Sequence, residues 1–262
     1  MVLVMVSTPA ANPARIASLL GPDTRWTKVE CVPESPSTNL EVSQRAAAGE
    51  PEGLVLVANH QTRGEGRFQR RWEDTPGTAL AFSALVRPTR PLMDWGWLSL
   101  LAGVAVAEGI RQVSGAHPSR VGVKWPNDVL LDDRKVCGIL NHGVSGAAVI
   151  GIGINTSMDE TELPVPAAIS LRLASLPDDK DELLAAILAR LQEHYEQWQA
   201  SGEIRKAYEA NCATIGRVVR VQLDDEVDVH GTAVGVDQAG NLIVRTHTGE
   251  RSFAAGDVFH LR

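Results

Sequence analysis

The chain has 262 residues, 28.2 kDa and a formal net charge of −7, with 44% hydrophobic and 22% charged residues. That length predicts one large domain, or a large one with a small one, of ordinary globular composition. The acidic balance argues against broad nucleic-acid binding, which needs a basic face.

Residues 1–6 are apolar, but they are too few to span a membrane and lack the basic start of a signal peptide, so no membrane partner is expected. Residues 1–25 predict a short arm with a helical turn over residues 13–20. That is too little for a helix-turn-helix domain, and no DNA partner is expected. Cys31, Cys137 and Cys212 lie far apart with no C-x-x-C pair, which predicts reduced thiols in a cytoplasmic protein. The histidines show no zinc-ligand spacing.

A strand is predicted near residues 26–32. Thr38-x-x-Glu41 reads as a capping box, starting a helix at about Asn39 and running to about Ala48. Residues 54–58 form an apolar run that predicts a buried strand. Gln61-Thr62-Arg63-Gly64-Glu65-Gly66-Arg67-Phe68-Gln69-Arg70-Arg71-Trp72 follows, with four arginines, two glycines and a tryptophan. Gly64 and Gly66 let backbone approach a ligand closely. Arg67 and Arg70 offer planar donor forks suited to carboxylate or phosphate. An anion clamp and a plain solvated basic loop are both compatible with this stretch. Gln69 stands where a dinucleotide fingerprint needs its third glycine, and no helical pattern follows.

Further along, residues 78–86 predict a strand and residues 98–113 an apolar helix. Residues 121–131 and 135–140 predict a hairpin across the acidic turn Asp132-Asp133-Arg134. Pro126 cannot donate to a ladder, which places it at an edge or bulge that re-aims Asn127 and Asp128. Residues 147–154 read as a buried strand whose glycines admit either a close approach or simple packing. Residues 178–199 carry the clearest amphipathic helical pattern. From residue 214 short strands are predicted at 217–222, 227–236, 242–246 and 258–261, a small β-barrel-like domain leaning on the larger one.

Five segments occur in order: Ser37-Thr38-Asn39; Gln61-x-x-Gly64-x-Gly66-Arg67-x-x-Arg70-x-Trp72; Lys124-Trp125-Pro126-Asn127-Asp128; Arg134-Lys135-x-x-Gly138-Ile139-Leu140; and Gly151-Ile152-Gly153-Ile154-Asn155. Together they resemble the biotin–protein ligases, over about residues 26–262 and without an N-terminal DNA-binding domain. The resemblance implies an α+β fold: a mixed β-sheet flanked by helices on one side, of the class II synthetase-like kind, plus a C-terminal SH3-like β-barrel. The implied division is an arm at 1–25, a catalytic domain at 26–213 and the small domain at 214–262.

The implied reaction joins biotin and MgATP into biotinyl-5′-AMP, then passes biotin to a lysine of a biotin carboxyl carrier protein. Ser37, Thr38, Asn39 and Gln61 match the biotin pocket, with Glu65, Gly66, Arg67, Lys135 and Gly138 beside it. Gly64, Arg67, Arg70, Trp72, Lys135 and Asn155 match the ATP and adenylate positions. Arg67, Arg70, Lys135, Asp128 and Asn127 match the catalytic positions, with Asp128 near Mg²⁺ and the incoming lysine. Fixed positive charge suits this chemistry, because a carboxylate and a phosphate must meet.

The chain departs from the family's Gly-Arg-Gly-Arg-x-Gly-Arg loop at Glu65 and Gln69, and Arg63 stands where a small residue is usual. An inward Glu65 would repel biotin's carboxylate, so it is expected to point outward or to pair with Arg63 or Arg71. A biotin or biotinyl-AMP binding protein with impaired transfer, and a lipoate-type acyl transferase of related fold, are the competing readings. An exposed edge strand leaves both a homodimer and transient carrier docking open.

Overall fold

The structure, a computed structural model, describes residues 10–223 and 228–261; residues 1–6, Val227 and the side chain of Gln69 lie outside the described residues. Helix α1 (Pro13–Leu20) is capped by Asn12, whose side chain accepts from the N–H groups of Ala14 and Arg15. Strand β1 (Lys28–Val32), helix α2 (Thr38–Ala47) and strand β2 (Leu54–Ala58) follow. The cap of α2 is Ser37, whose hydroxyl accepts from the Leu40 N–H. Thr38 cannot cap, because its N–H and hydroxyl both donate to Gln61 Oε1, at 2.8 and 3.1 Å. Glu41 accepts from Ser35 and closes no capping box.

Strands β3 (Gly64–Glu65) and β4 (Arg71–Trp72) fold the arginine loop into a small hairpin, and β5 (Ala79–Val86) returns to the sheet. Helix α3 (Trp97–Ser114) ends on Gly115 in the left-handed conformation. Where the sequence predicts one strand over 121–131, the chain makes two, β6 (Val121–Lys124) and β7 (Asp128–Leu131), paired antiparallel. Trp125, Pro126 and Asn127 form the turn between them, a place where proline's missing N–H costs no ladder bond. Strand β8 (Arg134–Val144) follows a turn in which Asp132 and Asp133 take φ of 51° and 60°, the left-handed pair a tight hairpin requires. Strand β9 (Ala147–Asn155), helix α4 (Lys180–Ser201) and helix α5 (Arg205–Asn211) complete this part, α5 being an element the sequence pattern does not single out.

The strands form a seven-stranded sheet ordered β1-β2-β5-β9-β8-β7-β6, with β1 and β2 parallel and the other neighbours antiparallel. Side chains alternate across it. Val55, Val57, Phe82, Ile150 and Ile152 pack with Val104 and Ile110 of α3 and with Leu184 and Ile187 of α4. Leu54, Leu56, Leu85 and Val149 face the other way, against Val42 and Ala46 of α2. Each such buried side chain contributes about 1.5–3 kcal/mol. Helices therefore lie on both faces, not on one side, and the α2 face leaves room for a site.

Strands β10 (Val218–Gln222), β11 (Val229–Val236), β12 (Leu242–Thr246), β13 (Gly249–Phe253) and β14 (Asp257–His260) form a five-stranded antiparallel sheet ordered β13-β12-β11-β10-β14. Among the described residues it is an open sheet, with no pairing that closes a barrel. Two indole N–H groups fasten it to the rest of the chain: Trp97, at the start of α3, donates to Gln238 O (2.8 Å), and Trp125, in the β6–β7 turn, to Gly240 O (3.1 Å). Thr214 Oγ1 accepts from the Trp125 N–H at 3.1 Å and lies 3.0 Å from His260 Nε2.

Burial at that junction, with Lys124 and Arg217 nearby, pushes the His260 imidazole down from 6.5 to about 4. A base held neutral in the fold stabilises above its unfolded pKa, and that stability is lost as the pH falls from about 6.5 towards about 4. Its size is on the order of 2–3 kcal/mol. Melting curves of His260→Gln are expected to lose that share of the acid destabilisation that the parent shows. Parallel pH–Tm curves for the two proteins would contradict this role.

Candidate active site

The α2 face holds a cavity of about 450 Å³. Period-two alternation along β9 sets Gly151, Gly153 and Asn155 on its floor. A Cβ at Gly151 would collide with the Asn39 carboxamide, and one at Gly153 would come within 2.7 Å of the Trp72 ring. The glycines thus serve the close approach of two cavity-lining side chains.

One end of the cavity is neutral and hydrogen-bonded. Gln61 Oε1 holds Thr38, the Ser83 hydroxyl lies 2.8 Å from Thr38 Oγ1 and 2.7 Å from Asn39 Oδ1, and Asn39 Nδ2 donates to Leu140 O. Ser37, Thr38, Asn39 and Ser83 are all buried. Such hydroxyl and amide groups suit a ligand that is polar but uncharged.

The other end is charged. Lys135 Nζ lies 2.6 Å from Asp128 Oδ1, and Lys124 Nζ lies 4.0 Å from Asp128 Oδ2. Burial holds the Lys124 ammonium below the usual lysine range, partly offset by Asp128. Arg67 donates to Asn127 Oδ1 at 3.0 Å, while Asn127 Nδ2 donates to Ile139 O at 2.8 Å, so Asn127 aims the guanidinium. Arg70 pairs with Asp257. Phe68 takes φ 55°, and the Arg67 and Arg70 guanidinium carbons lie 4.8 and 5.8 Å from its ring centre.

The structure brings Ser37, Thr38, Asn39, Gln61, Glu65, Gly66, Arg67, Arg70, Trp72, Asn127, Asp128, Lys135, Gly138 and Asn155 to this one cavity. Gly64 stands behind it, paired with Trp72, where a Cβ would meet the Trp72 carbonyl at 2.6 Å. Gly138 leaves space for the Lys135 amine, which a Cβ there would approach to 3.3 Å. Asn155 is tied down by donating to Ile169 O. Asp128 sits between two ammonium groups, and among the described residues no three His, Cys, Asp or Glu side chains gather to hold a cation.

Two further walls escape sequence reasoning. Pro164, Val165, Ala167 and Ala168 line the cavity because their segment pairs with Lys135: the Lys135 N–H donates to Ala167 O, and Lys135 O accepts from Ile169 N–H. Asp257 and Phe259 arrive from β14 of the second sheet. The only local signal for Asp257 is the preceding Gly256, at φ 140°.

The Biotin/lipoate A/B protein ligase family matches residues 29–159, and the biotin protein ligase C-terminal domain matches residues 214–261. A biotin–[acetyl-CoA-carboxylase] ligase of Mycobacterium tuberculosis is 36% identical over 247 residues, covering 93% of each chain. This chain belongs to the biotin protein ligase family. A bifunctional ligase/repressor of Bacillus subtilis is 30% identical, over 85% of this chain and 70% of its own. The crystal structure of an Aquifex aeolicus biotin protein ligase in complex with biotin and ATP superposes with a TM-score of 0.75 at 26% identity, covering 90% of this chain and 99% of that one. Among the described residues no helix is long and apolar enough to cross a membrane.

Against that family the Glu65 side chain gains a concrete partner. It reaches His142 Nε2 at 3.7 Å, and among the described residues no ion pair joins it to Arg63 or Arg71. His142 also lies 3.5 Å from the Ser43 hydroxyl of α2, so Glu65 leans away from the cationic end. Both side chains are partly exposed, so the pair contributes about 0.2–1 kcal/mol only when His142 carries a proton. Glu65→Arg is expected to change the biotin dissociation constant by no more than about fivefold in calorimetric titration. A much larger tightening would mean that the carboxylate faces the ligand.

Proposed function

We propose that the chain activates biotin with MgATP to biotinyl-5′-AMP and then transfers biotin to a lysine of a biotin carboxyl carrier protein. The observation that carries this reading is the pairing, in one cavity, of a neutral hydrogen-bonding end with a cationic end made by Arg67, Arg70 and Lys135. The neutral end suits the uncharged ureido ring and the cationic end suits a carboxylate beside phosphates. The proposed working division is a catalytic domain over 26–213 and a smaller domain over 214–262 that lends Asp257 and Phe259 to the wall.

In the first step a biotin carboxylate oxygen attacks the α-phosphorus, the bond from that phosphorus to the α,β-bridging oxygen breaks, and pyrophosphate leaves with the bridging oxygen. Lys135 and Arg67 are proposed to neutralise both anions as they meet. Magnesium enters as the complex with ATP, a co-substrate whose phosphate oxygens supply most of its ligands. In the second step the carrier's lysine nitrogen attacks the acyl carbon, forms the amide and releases AMP. Asp128, which lies beside Lys135 and Lys124, is proposed as the carboxylate that takes the ammonium proton. Trp72 and Asn155 are proposed to face the adenine.

Incubation with biotin, MgATP and a biotin carboxyl carrier domain, followed by intact-mass spectrometry, tests the reading. One biotinyl group on the acceptor lysine is expected. Adenylate without acceptor labelling would instead favour a binding protein with impaired transfer.

A further inference from the structure

The arginine loop leaves the first sheet after Ala58 and returns at β5, and its two limbs meet again at one buried carboxylate. The Asp74 side chain is 1% exposed. Its Oδ1 lies 2.7 Å from His60 Nδ1 and accepts from the Gln61 N–H at 3.2 Å, so a residue of the returning limb grips two of the departing limb. Its Oδ2 is buried without a hydrogen-bond partner. Burial raises the Asp74 carboxyl, and the bonds from Gln61 and His60 oppose that rise.

The departing limb is already held: Ser35 N–H donates to His60 O, Thr62 N–H to Ser35 O and Arg63 N–H to Pro36 O. Gln61 then carries the same frame to the neutral end of the cavity through Thr38. The returning limb has the short β3–β4 ladder, the Trp72 ring over Gly153, and Asp74. The β3–β4 ladder joins the limbs near the loop's tip and the Gly77 N–H, donating to Asn59 O, joins them at the sheet; Asp74 adds a buried side-chain link at the base of the loop between the two. A buried acceptor shared by two donors is costly to leave unpaired, so its loss is felt at both limbs.

We infer that Asp74 is the clasp of the arginine loop, a positioning residue that fixes the loop's base and so governs how long an adenylate stays sealed in the cavity. It does not line the cavity. The inference rests on the proposed function only where the adenylate is concerned. Loop order in the unliganded protein tests it independently.

The experiment compares the parent with Asp74→Ala, Asp74→Asn and His60→Ala. Biotinyl-AMP is formed in place from biotin and MgATP with pyrophosphatase, and its release is timed by rapid filtration. Asp74→Ala is expected to speed release about tenfold or more while the rate of adenylate formation changes by no more than about threefold. Asp74→Asn keeps an acceptor at Oδ1 and is expected to restore slow release. His60→Ala, which keeps the carboxylate, is expected to speed release less than Asp74→Ala, and it stands in if Asp74→Ala fails to fold. Amide hydrogen exchange over residues 62–72 without ligands is expected to follow the same order.

Unchanged release and unchanged exchange in both Asp74→Ala and His60→Ala would overturn the clasp. So would an alanine variant that slows adenylate formation but leaves release alone. If the parent forms no adenylate, the proposed function fails, and the exchange series still decides the clasp.

Discussion

Lys135→Ala is expected to lower the rate of biotinyl-AMP formation about a hundred- to thousandfold, the cost of about 2.7–4 kcal/mol typical for one pre-organised donor to a developing negative charge. The backbone of Lys135 is pinned on both sides, to Ala167 and Ile169, so the alanine variant keeps its wall and loses only the amine. Asp128 then retains Lys124 alone, at 4.0 Å, and the carboxylate and α-phosphate face each other with one cation fewer. Lys135→Arg is not expected to rescue, because a planar fork cannot fill the space that Gly138 leaves for a compact ammonium. Stopped-quench measurement of adenylate checks this, alongside transfer from preformed biotinyl-AMP, where the loss is expected to be smaller. Equal losses in the two steps would indicate that Lys135 acts on the adenylate rather than on its formation.

Gly153→Ala is the second large effect. The added methyl would lie 2.7 Å from Trp72 Cε2 and Cζ2, closer than carbon atoms can rest, while the Trp72 backbone is held by its pairing with Gly64. Overpacking of this kind costs about 1–3 kcal/mol of stability. Displacing the ring also moves the loop that bears Arg67 and Arg70, and an ångström of misplacement can cost about a hundredfold in rate. The Michaelis constant for ATP is expected to rise and kcat to fall, in a protein that still folds. Gly153→Ala combined with Trp72→Leu is expected to regain stability but not the affinity for ATP. Full activity in Gly153→Ala would show that the indole has no part in the site.

The central strands and the long helices were legible because each is written locally. The continuous apolar run at 147–154 and the helical spacing at 178–199 each sit within a few residues of their cause, and the strand and helix found there are Ala147–Asn155 and Lys180–Ser201. The errors arise where a distant partner decides. Ser37 caps α2 because Thr38 is taken by Gln61, 23 positions away. Asp257 reaches Arg70 across 187 positions, so no window on the sequence contains both. The turn at Pro126 lies inside an apolar run that fits one strand or two, and only pairing across Lys124 and Asp128 distinguishes them. The glycines of β9 announce a close approach, but the ring and the carboxamide that make it come from other elements.

Whether this cavity activates biotin is tested most directly by biotin-dependent exchange of labelled pyrophosphate into ATP, run in parallel with lipoate. Exchange with biotin and none with lipoate is the predicted result. Exchange with lipoate alone, or tight binding of biotin with no exchange, would contradict it.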